Sequence, residues 1–131
     1  MRFCLSRVIH ENTEKGAKVV FVTVPDGLVE GKVPLMSLNQ CLLIDAENYV
    51  TIHNLYIEKK KEVAELSEVD VLDLRAAFKE FPNYKERFFD YNENEVLDDI
   101  VYVNDPIHPN EQGRDLCTEL YYDYIVNILA S

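Results

Sequence analysis

The chain has 131 residues, of which 47% are hydrophobic, so it is long and apolar enough to form one globular domain over residues 1–131 rather than a disordered segment. Its net charge of -11, from 24 acidic and 13 basic residues, repels nucleic-acid phosphates and anionic membrane surfaces. We therefore expect no nucleic-acid partner.

The chain begins with a predicted helix, whose apolar positions have helical spacing: Leu5, Val8 and Ile9. Gly16 is placed to end that helix in the left-handed conformation. Residues 19–24 are a continuous β-branched and aromatic run, which is typical of a strand buried on both faces. Residues 25–27, Pro-Asp-Gly, close the strand with a turn, and residues 25–44 are predicted to be mostly connector.

The middle of the chain predicts a second helix and a second strand. Residues 46–66 are typical of an amphipathic helix. The apolar stripe of this helix is predicted to consist of Tyr49, Ile52, Tyr56 and Val63. A buried strand is predicted at residues 69–74. Helices that alternate with buried strands predict a parallel sheet, so the expected fold class is α/β.

The last third of the chain ends in the clearest predicted element. A short helix is predicted at residues 76–81 and is interrupted by Pro82, whereas residues 83–104 form an acidic, aromatic stretch without a predicted structure. After Gly113, apolar residues recur at steps of three and four, as in a long helix docked on a sheet. These residues are Cys117, Leu120, Tyr121, Tyr124, Ile125 and Ile128.

The three cysteines, Cys4, Cys41 and Cys117, match neither a disulfide framework nor a metal-binding spacing, which favours free thiols in a reducing compartment. The first residues lack the apolar run of a secretory signal, and no apolar stretch approaches the ~18 residues of a membrane span. We expect a cytoplasmic protein without a membrane span. If further sequence precedes Met1, the missing signal says nothing about localisation.

The strongest candidate for chemistry is the segment Asp-Pro-Ile-His-Pro-Asn just before the last helix, named here the Asp–His loop (residues 105–110). A histidine with an ordinary pKa of about 6.5 can accept and return a proton when its other ring nitrogen is fixed by an acceptor. Asp105 can be that acceptor for His108, and the two prolines restrict the backbone around the pair. The pair is therefore a candidate general base with its orienting carboxylate.

The alternative is that Asp105 and His108 are turn residues, since both types are common in turns before proline. The spacing taken alone favours this alternative, because an aspartate and a histidine three residues apart match by accident in many chains.

A longer pattern favours chemistry. Asp105, His108, Pro109, Asn110 and Gly113, followed by the amphipathic helix, resemble the final block of the SGNH (GDSL-type) hydrolases, Asp-x-x-His-Pro-Asn-x-x-Gly. In that family the motif histidine is the general base, the motif aspartate orients it, and a serine in an N-terminal Gly-Asp-Ser block attacks an ester carbonyl. The resemblance thus gives His108 and Asp105 these two catalytic roles, and makes the other three residues responsible for loop shape and helix start.

The resemblance covers most of the chain. Residues 15–18 leading into residues 19–24 resemble the helix-to-strand entry of that family, and residues 69–74 with residues 75–78 resemble its last core strand and the segment after it. The resemblance implies a three-layer α/β/α, flavodoxin-like fold with a parallel sheet of about five strands. This chain would supply the second half of that fold and lack the N-terminal strands.

The nucleophile block of the family is absent. The sequence contains no Gly-Asp-Ser, no following glycine block and no Gly-x-Asn block. Ser131 is terminal, Ser67 follows a charged helix, and Ser37 lies in the connector without a glycine-lined turn. Ser6, four residues before His10, shares a helix face with it by a coincidence of spacing.

The hypothesis is therefore the C-terminal portion of an SGNH-type ester hydrolase, inactive alone, that acts on a small acyl ester without a metal or organic cofactor once an N-terminal half completes it. Two-stranded sheets leave backbone groups unpaired, so a complementing chain or a homodimer is expected to cover the sheet edge. The alternative function is a non-catalytic interaction or dimerisation module derived from a hydrolase. A third alternative is a site completed by the serine of a partner chain.

Other candidate sites are rejected. The Asp90-x-Asn92-x-Asn94 start of a calcium loop lacks the required glycine and the final glutamate, so this stretch is predicted to be a solvated loop. His10 and His53 lack the clustered partners of a metal site and are predicted to be structural.

Overall fold

The computed structural model of the protein describes residues 2–29, 31–34, 49–97 and 100–131. Within these residues the helices are α1 (Arg2–Glu14), α2 (Tyr49–Leu66), α3 (Leu74–Lys79), α4 (Tyr84–Phe88) and α5 (Glu111–Ala130). The strands are β1 (Val20–Thr23), β2 (Lys32–Pro34), β3 (Asp70–Asp73), β4 (Asp90–Leu97) and β5 (Ile100–Asp105). The fold is mixed α/β, as the alternation of elements predicts.

The strands form two sheets. β1 and β3 pair in parallel, with Val20 opposite Asp70 and Thr23 opposite Asp73, which confirms the predicted parallel pairing. The second sheet has the order β2-β5-β4, in which β5 runs parallel to β2 and antiparallel to β4. The carboxyl ends of β1 and β3 therefore lie at one edge of their sheet, and β5 ends at the Asp–His loop.

An aromatic core lies beside the Asp–His loop. The rings of Phe78 and Phe88 have centroids 5.0 Å apart, and those of Phe78 and Phe89 are 6.0 Å apart. All three side chains are buried. Leu116 and Cys117 of α5 pack against this cluster, so the first turns of the last helix are anchored where the loop ends.

The predicted start of α5 is confirmed in detail. Asn110 is the N-cap, because its side-chain oxygen accepts a hydrogen bond from the Gly113 N–H at 3.0 Å. Gly16 has a φ of +80° just after α1 and matches the predicted end of that helix. No helix in the described ranges has both the length and the apolar character that crossing a bilayer requires.

The predicted apolar stripe of α2 is wrong for Ile52 and Tyr56 and confirmed for Val63, which is buried. Ile52 and Tyr56 are 57% and 46% exposed, whereas the buried apolar face is formed by Val50, Ile57, Val63 and Ala64. The same side of α2 also carries two polar residues, His53 and Asn54, which contact Asp26 and Arg75. A search for apolar residues alone therefore does not find this side. The side chain of Tyr49 and the predicted helical residues 46–48 lie outside what the structure describes.

Two further predictions differ from the structure. The acidic stretch 83–104 contains α4 and the β4–β5 pairing, so Asp90 and Asn92 lie on a strand and not in a loop. The connector contains the short strand β2, and its residues 35–44 lie outside the described ranges. Strands β1 and β3 are only partly buried, and Val20, Val22 and Leu72 line an open cavity of about 280 Å³ together with residues of α5.

A substitution at Gly113 tests how closely the start of α5 packs against its neighbours. A Cβ at this position would lie 2.7 Å from the Phe88 carbonyl oxygen and 2.7 Å from the Pro109 Cβ. Although alanine favours helix over glycine, we expect Gly113→Ala to lower the free energy of unfolding by about 1–3 kcal/mol, because backbone atoms must move. Chemical denaturation measures this change. The control is Gln112→Ala at the exposed neighbouring position, and equal stability of the two variants would contradict the packing described.

Candidate functional site

The Asp–His loop brings its two predicted residues into direct contact. His108 Nδ1 lies 3.0 Å from Oδ2 and 3.2 Å from Oδ1 of Asp105. The same carboxylate accepts hydrogen bonds from the backbone N–H of Ile107 at 3.1 Å and of His108 at 2.9 Å. The Asp105 carboxylate thus contacts both the backbone N–H and the ring of His108.

The contact determines which ring nitrogen is free. An ionised carboxylate only accepts hydrogen bonds, so Nδ1 carries the proton in the neutral ring and Nε2 carries the lone pair. The His108 side chain is 66% exposed. Nε2 can therefore accept a proton from a group that approaches from solvent.

The hydrogen bonds also explain the acidity of Asp105. Partial burial raises the pKa of its carboxyl, but the N–H groups of His108 and Ile107 and the imidazole of His108 lower it by more. The net effect is a pKa below the ordinary value. Asp105 therefore stays ionised at neutral pH, as an orienting carboxylate must.

The loop is held from both ends. On its first side, the buried Pro106 accepts a hydrogen bond at its carbonyl from the Gly27 N–H at 2.7 Å. On its second side, the Asn110 N–H donates to the Phe88 carbonyl at 2.8 Å and its side-chain amide donates to the Arg87 carbonyl at 2.9 Å. His108 therefore projects from a backbone with fixed positions before and after it.

A second polar cluster, which the sequence analysis missed, lies at the carboxyl ends of β1 and β3. The Asp26 carboxylate is 6% exposed, accepts from Arg75 Nε at 2.8 Å and from the Leu28 N–H at 3.1 Å, and lies 3.3 Å from His53 Nε2. Arg75 also donates to the side-chain oxygen of Asn54 on α2. His53, predicted to be structural, thus contacts a buried ion pair.

Burial raises the pKa of Asp26, and the contacts with His53, Arg75 and the Leu28 N–H lower it by more, so its pKa lies below the ordinary value. One signal could have found this cluster, because Asp26 and Arg75 each follow a predicted strand. Residues that follow adjacent parallel strands meet at one edge of a sheet.

The Thr23 hydroxyl, beside this cluster, links β1 to β3 through a hydrogen bond. Thr23 donates from its hydroxyl to Asp73 Oδ1 at 2.6 Å and accepts from the Arg75 N–H at 3.2 Å. Asp73 also caps α3 through the Ala76 N–H at 3.0 Å, and Lys61 Nζ of α2 lies 3.1 Å from its Oδ2. The ends of both strands are therefore fixed against α2 and α3.

The serines that the structure describes do not contact His108. Within the described ranges, no serine hydroxyl lies at hydrogen-bond distance from its ring. Ser131 donates to the Ile128 carbonyl at the end of α5, Ser67 follows α2, and Ser37 lies outside the described residues. His10 lies 3.3 Å from Glu14 on α1.

The remaining candidates have other roles. Cys117 is half-buried in the aromatic core, and burial raises the pKa of its thiol, which fits a packing role. Asp90 accepts hydrogen bonds from the side chains of Asn92 and Asn104. No group of three or more potential metal ligands occurs in the part of the chain that the structure describes, and Cys41 lies outside it.

No protein-family model, curated protein or solved structure matches the chain. The assignment of a function therefore rests on the sequence pattern and on the geometry of the site.

The lowered pKa of Asp105 predicts a pH-dependent contribution to stability. A carboxyl whose pKa is lower in the folded state stabilises the fold above its unfolded pKa of about 4, and this stabilisation is lost as the pH falls through the folded value. We expect Asp105→Asn to lower the free energy of unfolding by about 1 kcal/mol at neutral pH, a value reduced by solvent screening, and to have a progressively smaller effect as the pH falls below about 4.

Denaturation of both proteins across this pH range measures the difference. Asp123→Asn, at an exposed position of α5, is the control and should change stability by less than about 0.5 kcal/mol. A difference between wild type and Asp105→Asn that grows toward acid pH would contradict the hydrogen bonding described.

Proposed function

We propose that the chain provides the general base and its orienting carboxylate for an SGNH-type serine ester hydrolase. The observation that carries this proposal is the His108 ring, whose Nδ1 is 3.0 Å from Asp105 while its Nε2 remains open to solvent. A histidine that only terminates a turn needs no carboxylate on its ring nitrogen. The hydrogen bonds of the loop are instead arranged as in the second half of a catalytic triad.

The reaction follows from the position of the proton. Nε2 of His108 takes the proton of a serine hydroxyl as the serine oxygen attacks the ester carbonyl, and Asp105 stabilises the imidazolium that forms. The imidazolium then gives this proton to the departing alcohol, which leaves an acyl-serine. Water repeats the sequence, with His108 as base, and releases the acid. The steps need no metal and no organic cofactor.

The fold agrees with this proposal in part. The loop follows the carboxyl end of a strand and contacts the loop after β1, and ligands of open α/β sheets bind at such strand ends. The flavodoxin-like, three-layer fold is the finer part of the proposal, with β1 and β3 as two of its parallel strands. The antiparallel β4–β5 pairing departs from the all-parallel sheet of that fold.

The serine is proposed to come from another stretch of polypeptide that carries a Gly-Asp-Ser block, and the substrate is proposed to be a small acyl ester. The free edge of the described β1–β3 pair can receive a further strand. An N-terminal half of an SGNH-type domain that added such a strand would bring its serine to the carboxyl end of the sheet, which is the end where β1 and the Asp–His loop meet.

Reconstitution tests the base role of His108. The purified chain alone should show negligible turnover of 4-nitrophenyl acetate, and addition of a Gly-Asp-Ser half-domain should produce turnover and fluorophosphonate labelling of that serine. His108→Ala should abolish both, and Asp105→Asn should reduce turnover by roughly 10⁴-fold, because the ring loses its orientation.

His10→Ala is the matched control, since His10 is also an exposed histidine beside a carboxylate. Serine labelling that survives His108→Ala would refute the base role. Turnover by the chain alone that His108→Ala abolishes would refute the need for an external serine.

A second candidate function is a non-catalytic interaction or dimerisation module. Large apolar side chains of α5 are exposed, among them Tyr122, Ile125 and Leu129, the last of which is 79% exposed. Ile125 and Leu129 line the cavity beside Val20 and Val22. Such a stripe on the last helix is typical of a surface that another polypeptide covers.

Sedimentation equilibrium distinguishes the two candidates. A stable symmetric dimer that Leu129→Asp dissociates, together with failure of reconstitution, would favour the module. We expect a monomer that His108→Ala leaves unchanged, because the His108 side chain is 66% exposed. Asn127→Asp, at an exposed position of α5 outside this apolar set, is the control for charge added to the helix.

A further inference from the structure

Both oxygens of the buried Asp26 carboxylate accept hydrogen bonds from neighbouring residues. Its Oδ1 accepts from the Leu28 N–H, and its Oδ2 faces both Arg75 Nε at 2.8 Å and His53 Nε2 at 3.3 Å. A buried charge is strongly destabilising unless it is paired and hydrogen-bonded. Asp26 can therefore be ionised only while these partners remain in place.

The partners come from different elements of the fold. Arg75 lies in the first turn of α3 and is 11% exposed, and its Nη2 donates to Asn54 of α2. His53 is the neighbour of Asn54 on α2. The Asp26 carboxylate thus fixes the turn after β1 against two helices, and the internal Leu28 hydrogen bond fixes the shape of that turn.

The turn that Asp26 fixes contacts the Asp–His loop. The next residue, Gly27, donates its N–H to the Pro106 carbonyl at 2.7 Å. A Cβ on Gly27 would lie 3.2 Å from the Phe89 ring and 3.5 Å from the same carbonyl, so the Gly27 backbone fits closely between the aromatic core and the loop. Pro106 directly follows Asp105, and a shift of this turn would therefore move the carboxylate that orients His108.

We propose that Asp26 is a positioning residue for the Asp105–His108 pair, acting through the Gly27 to Pro106 hydrogen bond. Its importance for catalysis rests on the proposed function, whereas its effect on the loop does not. Arg75 and His53 share this role, because they hold the carboxylate that fixes the turn.

The test reads the His108 ring directly and needs no substrate. Long-range ¹H–¹⁵N spectra of the full chain at about pH 8, where an ordinary histidine is neutral, report which ring nitrogen carries the proton. The wild type should hold His108 in the Nδ1–H tautomer. Asp26→Asn keeps the size of the side chain and removes the charge that holds Arg75. It should at least halve the Nδ1–H fraction and speed exchange of the Gly27 amide by about tenfold or more.

Asp70→Asn is the matched control. Asp70 forms an ion pair with Lys18 at 2.6 Å at the start of β3, the end of the strand away from Arg75. This variant should leave the His108 tautomer and the Gly27 amide unchanged. If Asp26→Asn does not fold, His53→Gln serves instead, because His53 is about one-third exposed, and it should shift both signals in the same direction.

The outcomes separate the two proposals. A wild-type His108 that is not in the Nδ1–H form would overturn the proposed general base itself. A wild-type Nδ1–H form that stays unchanged in a folded Asp26→Asn or His53→Gln protein would overturn only the positioning role of Asp26.

Discussion

The hydrogen bond from the Gly27 N–H to the Pro106 carbonyl joins the loop that leaves the two-stranded sheet to the loop that leaves the three-stranded sheet. A buried carbonyl needs a donor, and Pro106 is fully buried one residue after Asp105. The position of the Asp105 carboxylate is therefore linked to the turn after β1. The ion pair of Asp26 with Arg75 extends this link to two helices.

The sequence predicts the parallel pairing of β1 with β3 better than the rest of the fold. Both are short strands between helical patterns, and a parallel pair is the standard result of that alternation. β4, by contrast, has the sequence Asp-Tyr-Asn-Glu-Asn-Glu-Val-Leu and pairs only with β5 among the described strands. Charged residues are tolerated on such an edge strand, so neither alternation nor a long apolar run reveals it.

Helix α2 illustrates a different limit. Its buried face contains Val50 and Ile57 but also His53 and Asn54, which contact Asp26 and Arg75. A search for apolar residues at helical spacing rejects that face in favour of Ile52 and Tyr56. The correct face can be predicted only when its charged partners, Asp26 and Arg75, are known. Each of these partners lies 20 or more residues away from His53 and Asn54 in the sequence.

The sequence likewise predicts one part of the candidate site and not the other. Asp105 and His108 are three residues apart and share a rigid turn, so their contact could be inferred from the sequence. Asp26 and Arg75 are separated by 49 residues, and only the pairing of β1 with β3 brings them together. The contact between Asp105 and His108 could therefore be predicted from the sequence pattern. The contact between Asp26 and Arg75 depends on tertiary structure and could not.

The Asx-type turn of Asp105 has a consequence for how such a site can be rearranged. The carboxylate, the imidazole and the two N–H groups that hold the carboxylate all lie within four consecutive residues. Cutting or circularly permuting the chain elsewhere leaves this unit whole, whereas a triad with three distant members is dismantled by most cuts. An aspartate–histidine pair encoded in this way stays on one piece of polypeptide when the chain is divided elsewhere.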